Sequence, residues 1–130
     1  MAGYRTSLGR ARGLGAAKHG VGQFITERVT AIALVPLAFW GIWSVIAVAR
    51  GGYDAAIGWI TSPVNAVLLV ITLAVGFWHM QVGMRVVIED YAEKTLGRTA
   101  LLILNLFLCV LFGALAIFSV LKVAVSTGAV

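Results

Sequence analysis

Three long apolar runs dominate the chain, separated by two short polar connections. The first extends from about Arg28 to Ala49, over Val-Thr-Ala-Ile-Ala-Leu-Val-Pro-Leu-Ala-Phe-Trp, and the second from about Val64 to Ile88. The third extends from about Thr99 to Val123. A helix rises about 1.5 Å per residue and a bilayer core is about 30 Å thick, so each run predicts one membrane-spanning helix. The expected fold is all-α, an integral membrane domain with three transmembrane helices. Pro36 predicts a kink in the first of them, which a membrane helix tolerates when neighbours satisfy the freed carbonyl. The connection at 50–62 holds Arg50, the Gly51-Gly52 pair, Asp54 and Trp59, and predicts an outer loop with a short amphipathic piece. Tyr53 and Trp59 there suit the interfacial aromatic belt. The third run is nearly featureless, and its Asn105 is expected to hydrogen-bond a neighbouring helix. The chain divides into a basic, glycine-rich arm at 1–25, a membrane domain at 26–125 and a tail at 126–130.

Composition turns this pattern into a statement about solvent. Of the 130 residues, 61% are hydrophobic and only 12% charged, against about 25% charged in soluble domains. A domain this small has too little interior to bury so much apolar surface. The single cysteine, Cys109, excludes an internal disulfide and any multi-cysteine metal site, and in its apolar run it reads as a small hydrophobe.

The net charge is +5, and its distribution matters more than its size. Arg5, Arg10, Arg12, Lys18 and Arg28 precede the first apolar run. They come with glycines and without interleaved aromatics, which argues against nucleic acid. With three spans, these five plus Arg85, Lys94 and Arg98 fall on one side, and Arg50 and Lys122 on the other. Eight against two puts the N-terminus and the second connection inside. The apolar run begins too late and is too long for a signal peptide. The arm at 1–25 reads as flexible or as lying on a partner protein, with His19 solvated. There is no internal repeat, no glycine-rich phosphate loop and no nucleophile–base pair.

The chemistry gathers between Gly76 and Tyr91. His79 lies nine residues before Ile88, about 13 Å along a helix and well inside the hydrocarbon. Ionisable groups at such depth default to a functional role; the bland alternative is a neutral histidine bonded to another helix. Gly76 at i−3 and Gly83 at i+4 share its helix face. An imidazole flanked by glycines gives a flat ring room to approach, and porphyrin iron accepts an axial histidine nitrogen. The competing use of the glycines is a helix-packing groove. With one intramembrane histidine, a bis-histidine haem would take its second ligand from another chain.

Asp90 and Tyr91 follow at the end of the second run. A tyrosine at the polar–apolar boundary suits the aromatic belt, and it also suits a hydrogen bond to the carbonyl of a lipid-soluble quinone. The adjacent carboxylate would orient a basic partner or relay protons. Arg85 with Glu89 and Asp90 with Lys94 are also i,i+4 pairs that would steady the helix end.

These residues carry a family resemblance. His79-x-x-x-Gly83 followed by Asp90-Tyr91, together with Arg28-Val-Thr-Ala-Ile-Ala-Leu-Val-Pro, resembles the smaller hydrophobic membrane anchor subunit of succinate dehydrogenase (respiratory complex II), over residues of about 22 to 123. The pattern departs from some relatives in the arm, at Gly22-Gln-Phe-Ile, and at Pro36. The resemblance implies a bacterial inner (cytoplasmic) membrane subunit that sits in lipid beside a second hydrophobic anchor subunit of cytochrome b type. It implies docking to an iron–sulfur subunit and a flavoprotein subunit, which oxidise succinate and pass electrons to ubiquinone. It further implies a haem b shared with the partner anchor, with His79 as axial ligand to the haem iron, and Gly76 and Gly83 giving clearance. Tyr91 would bond the quinone, Asp90 would stand behind it, and Arg28 would serve near these cofactors. The chain itself would not oxidise succinate, since it holds no flavin, dicarboxylate or iron–sulfur motif. Two alternatives remain open from sequence: the anchor of a quinol:fumarate reductase, and, in another class, a small transporter or assembly protein with His79 handling substrate or protons. A transporter would favour a mid-membrane carboxylate, whereas Glu89 and Asp90 lie at the edge.

Overall fold

The computed structural model describes residues 6–9, 20–92 and 94–126. From Gly20 onward the described residues form, in order, α1 (Gly20–Ala49), α2 (Gly52–Thr61), α3 (Pro63–Tyr91) and α4 (Thr95–Ser126). Among the described residues there is no strand. Helices α1, α3 and α4 are each long and apolar enough to cross a membrane. They contain the three expected spans and extend past them.

The largest difference is at the start. Helix α1 begins at Gly20, not near Arg28, so the helix takes in 20–25 of the expected arm. Threonine hydroxyls fold back onto the helix there, Thr26 to the carbonyl of Gly22 at 2.8 Å and Thr30 to that of Thr26 at 2.8 Å. Such bonds let hydroxyls sit in an apolar medium without a partner elsewhere. Pro36 lies inside α1 without ending it. His19, Arg5, Arg10, Arg12 and Lys18 lie outside the described residues.

Between α1 and α2 the chain turns at Gly51 and Gly52. Gly52 has φ +71°, a conformation open to glycine and strained for other residues. The predicted amphipathic piece is α2. Its Trp59 meets Trp40 of α1, with ring centroids 5.4 Å apart. Tyr53 is exposed. Pro63 opens α3, where the missing N–H has no helical partner to lose. Asn65 of α3 donates to the carbonyl of Trp59 at 3.1 Å and ties the two helices together.

Helix α3 is the middle of the molecule. It packs on α4 and on α1, while α1 and α4 do not touch. The short α2 contacts all three long helices at one end. The result is a row of three helices rather than a closed bundle. Antiparallel packing of α1 and α3 shows in their contacts: Ser44 and Val45 share a cavity with Leu69 and Thr72 near α2, and Thr30 meets His79 further along.

The two faces of α3 bury different chemistry. On the α4 face, a Cβ added at Gly113 would stand 3.2 Å from Phe77 Cγ. Gly113 is therefore the residue that admits the Phe77 ring. One turn away Asn105 Nδ2 donates to the carbonyl of Gln81 at 3.0 Å, the expected cross-helix bond. The buried Cys109 thiol points at Asn105 Oδ1, 3.5 Å away. Few side chains are buried: Ala66, Val82 and Cys109 among the apolar ones, Ser44 and Asn105 among the polar ones. A chain with so small an interior is stable only where lipid or protein covers its sides.

Candidate functional site

His79 is on the α1 face of α3. Phe77 and Gln81, two residues to either side, are about 200° away around the helix and face α4. The imidazole is half-buried. Its Nδ1 lies 2.9 Å from Thr30 Oγ1 of α1. Its Nε2 makes no hydrogen bond among the described residues, and no side-chain nitrogen or oxygen there is sealed in without a partner. Nε2 therefore opens to the outside of the chain.

Gly76 and Gly83 lie within about 60° of His79 around the helix. A Cβ built on either would meet nothing within 4 Å. Gly113 differs from them. Gly113 is a packing glycine against this chain's own Phe77, whereas Gly76 and Gly83 face open space. A flat haem fits this donor set: one imidazole nitrogen, Nε2, that opens outward, and room on both sides of it along the helix. Among the described residues no group of three or more His, Cys, Asp or Glu could hold a bare metal ion. What the described residues offer here is one outward-facing imidazole nitrogen, Nε2 of His79.

Arg28 is exposed, with its guanidinium over the Phe24 ring at 5.1 Å. It is about 200° from Thr30 around α1, and so points away from α3. Since α1 starts at Gly20, Arg28 is not at a helix end. It stands two residues from Thr30, about 3 Å along the axis from the level of His79. Glu27 is half-buried one turn from Thr30. The helix continues seven residues beyond it toward Gly20.

Asp90 and Tyr91 close α3. Tyr91 is its last residue and 83% exposed, and Asp90 is exposed beside it. The backbone leaves the helix at Ala92, at φ −90° and ψ 101°, with its N–H on the carbonyl of Ile88. Of the two expected i,i+4 pairs, Arg85 Nε and Glu89 Oε1 meet at 2.9 Å. Asp90 makes no ion pair among the described residues. With Ala92 extended, Lys94 is not one helical turn beyond it.

Thus the structure brings His79, Gly76 and Gly83 to one face, adds Thr30, and sets Asp90 and Tyr91 apart at the helix end. Thr30 was missed from sequence. A threonine within Val-Thr-Ala carries no signal by itself, and its value lies in which residue of another helix it meets.

Comparison with known proteins follows from this geometry. Residues 2–120 match the family described as succinate dehydrogenase/fumarate reductase transmembrane subunit. The succinate dehydrogenase hydrophobic membrane anchor subunit of Rickettsia conorii is 31% identical over 108 residues, covering 82% of this chain and 86% of that protein. The protein of the same description from Rickettsia bellii is 31% identical over 100 residues, covering 77% and 80%. No solved structure gives a significant match.

Proposed function

The chain belongs to the succinate dehydrogenase/fumarate reductase transmembrane subunit family, and we propose that it is the membrane anchor of a succinate:ubiquinone oxidoreductase, holding half of a haem b site at His79 and part of a ubiquinone site at Tyr91. The observation that carries this reading is the unpartnered Nε2 of His79, open to the outside between two glycines that face empty space.

When bound, the haem supplies a one-electron carrier within the membrane. His79 would hold it through a nitrogen lone pair, and a second hydrophobic subunit of cytochrome b type would supply the other ligand. Gly76 and Gly83 leave the backbone approachable on both sides. Arg28, exposed and turned away from α3, is given no part in this site. At the end of α3 the Tyr91 hydroxyl donates a hydrogen bond to a quinone carbonyl oxygen. Quinone reduction takes up two protons, and the Asp90 carboxylate beside Tyr91 is suited to pass them.

The peripheral flavoprotein and iron–sulfur subunits dock on the side that carries Tyr91. This side is the cytoplasmic face of a bacterial inner membrane, by the weight of basic residues there. Succinate oxidation belongs to those subunits. Operation in the direction of fumarate reduction would depend on the cofactor potentials and would use the same anchor.

Purification through a tag on this chain in mild detergent tests the reading. The expected companions are a flavoprotein, an iron–sulfur protein and one further hydrophobic subunit, with succinate-dependent quinone reduction in the same fraction. Recovery of the chain without those companions contradicts it.

A further inference from the structure

Resting on the reading of His79 as an iron ligand, we infer that Thr30 is the positioning residue that fixes the tautomer and orientation of its imidazole. The argument turns on counting protons. Thr30 Oγ1 has one, and it stands 2.8 Å from the carbonyl of Thr26 and 3.1 Å from that of Glu27. Donation back to a carbonyl one turn earlier is the ordinary disposition of a threonine hydroxyl in an apolar helix. With the proton so used, the oxygen has only lone pairs to offer His79 Nδ1, 2.9 Å away. The contact therefore requires an N–H on Nδ1.

A neutral imidazole carries one N–H. Placing it on Nδ1 leaves Nε2 with a bare lone pair, the form that binds iron. The opposite assignment, with Thr30 donating to Nδ1, puts a hydrogen on Nε2, which has no acceptor among the described residues and could not ligate. Thr30 thus acts from α1 on a ligand carried by α3, and it does so through the helix pair within this one chain. An acceptor on the far nitrogen also raises the basicity of a ligating imidazole. A more basic ligand favours ferric over ferrous iron and lowers the reduction potential of the haem.

The test uses the whole purified complex, with Thr30→Val to remove the acceptor at nearly constant shape and Thr30→Ser to keep it. The haem midpoint potential is measured by redox titration, and the ferric signal by electron paramagnetic resonance. Val is expected to raise the potential and shift the ferric g values, and Ser to return both toward wild type. Haem loss in Val with retention in Ser supports the same conclusion. Unchanged potential and signal in Val, or equal change or equal haem loss in both variants, overturns the role of Thr30. A wild-type complex without b haem, or one whose haem is indifferent to His79→Tyr, overturns the ligand reading itself, and either is seen without any Thr30 variant.

Discussion

His79 and Tyr91 are carried by one unbroken helix, α3, which runs from Pro63 through Tyr91. Twelve residues separate them, which sets them about 18 Å apart along the axis and about 120° apart around it. The two proposed sites thus share a rod but look in different directions.

That separation makes Tyr91→Phe a selective change. Its side chain is 83% exposed within this chain, so losing the hydroxyl removes no internal bond. A lost neutral hydrogen bond is worth about 1–1.5 kcal/mol, or about tenfold in rate. Quinone reduction by the complex is expected to fall by about that factor, while succinate-driven reduction of an artificial dye and the haem spectrum stay as they are. Equal loss of both activities would mean that Tyr91 serves assembly instead.

Gly83 and Gly113 give opposite expectations for the same substitution. Gly113 abuts Phe77, and a side chain there would have to push the ring aside. Gly113→Leu is expected to destabilise α3–α4 packing by about 1–3 kcal/mol, read as a lower melting temperature of the complex. At Gly83 a Cβ meets nothing within 4 Å in this chain, which makes Gly83→Leu the contrasting change. It is expected to leave insertion and helix content unchanged but to lower haem content, measured by pyridine haemochrome per complex. Normal haem in Gly83→Leu would remove the clearance argument.

Orientation has its own test. A periplasm-active reporter enzyme fused within 50–62 is expected to be active, and the same reporter fused after Glu93 inactive. The reverse pattern would invert the topology derived from the basic residues.

Much of this arrangement was legible in the sequence because lipid imposes a simple rule: a run of apolar residues long enough to span must be helical. The pair Arg85–Glu89 was legible because helix spacing alone sets it. Asp90–Lys94 was not, since the same spacing holds only while the helix lasts, and it stops at Tyr91. The start of α1 was hidden by Gly20, Gly22, Gln23 and Glu27, residues of low apolar signal, two of them poor helix formers. Thr30 could not have been found, because its meaning depends on α1 and α3 packing in a particular register. His79 and its glycines were legible because one helix places all three on one face, but the space beside Gly76 and Gly83 is filled by none of the described residues, so the chain alone does not say what occupies it.

The central claim is that His79 supplies one axial ligand to a haem shared with a partner subunit. The most direct measurement is the reduced-minus-oxidised optical spectrum of the purified complex, wild type beside His79→Ala. The account predicts a b-type spectrum in the wild type that is lost or altered in the variant, with the subunits still associated. An identical spectrum in both would contradict it.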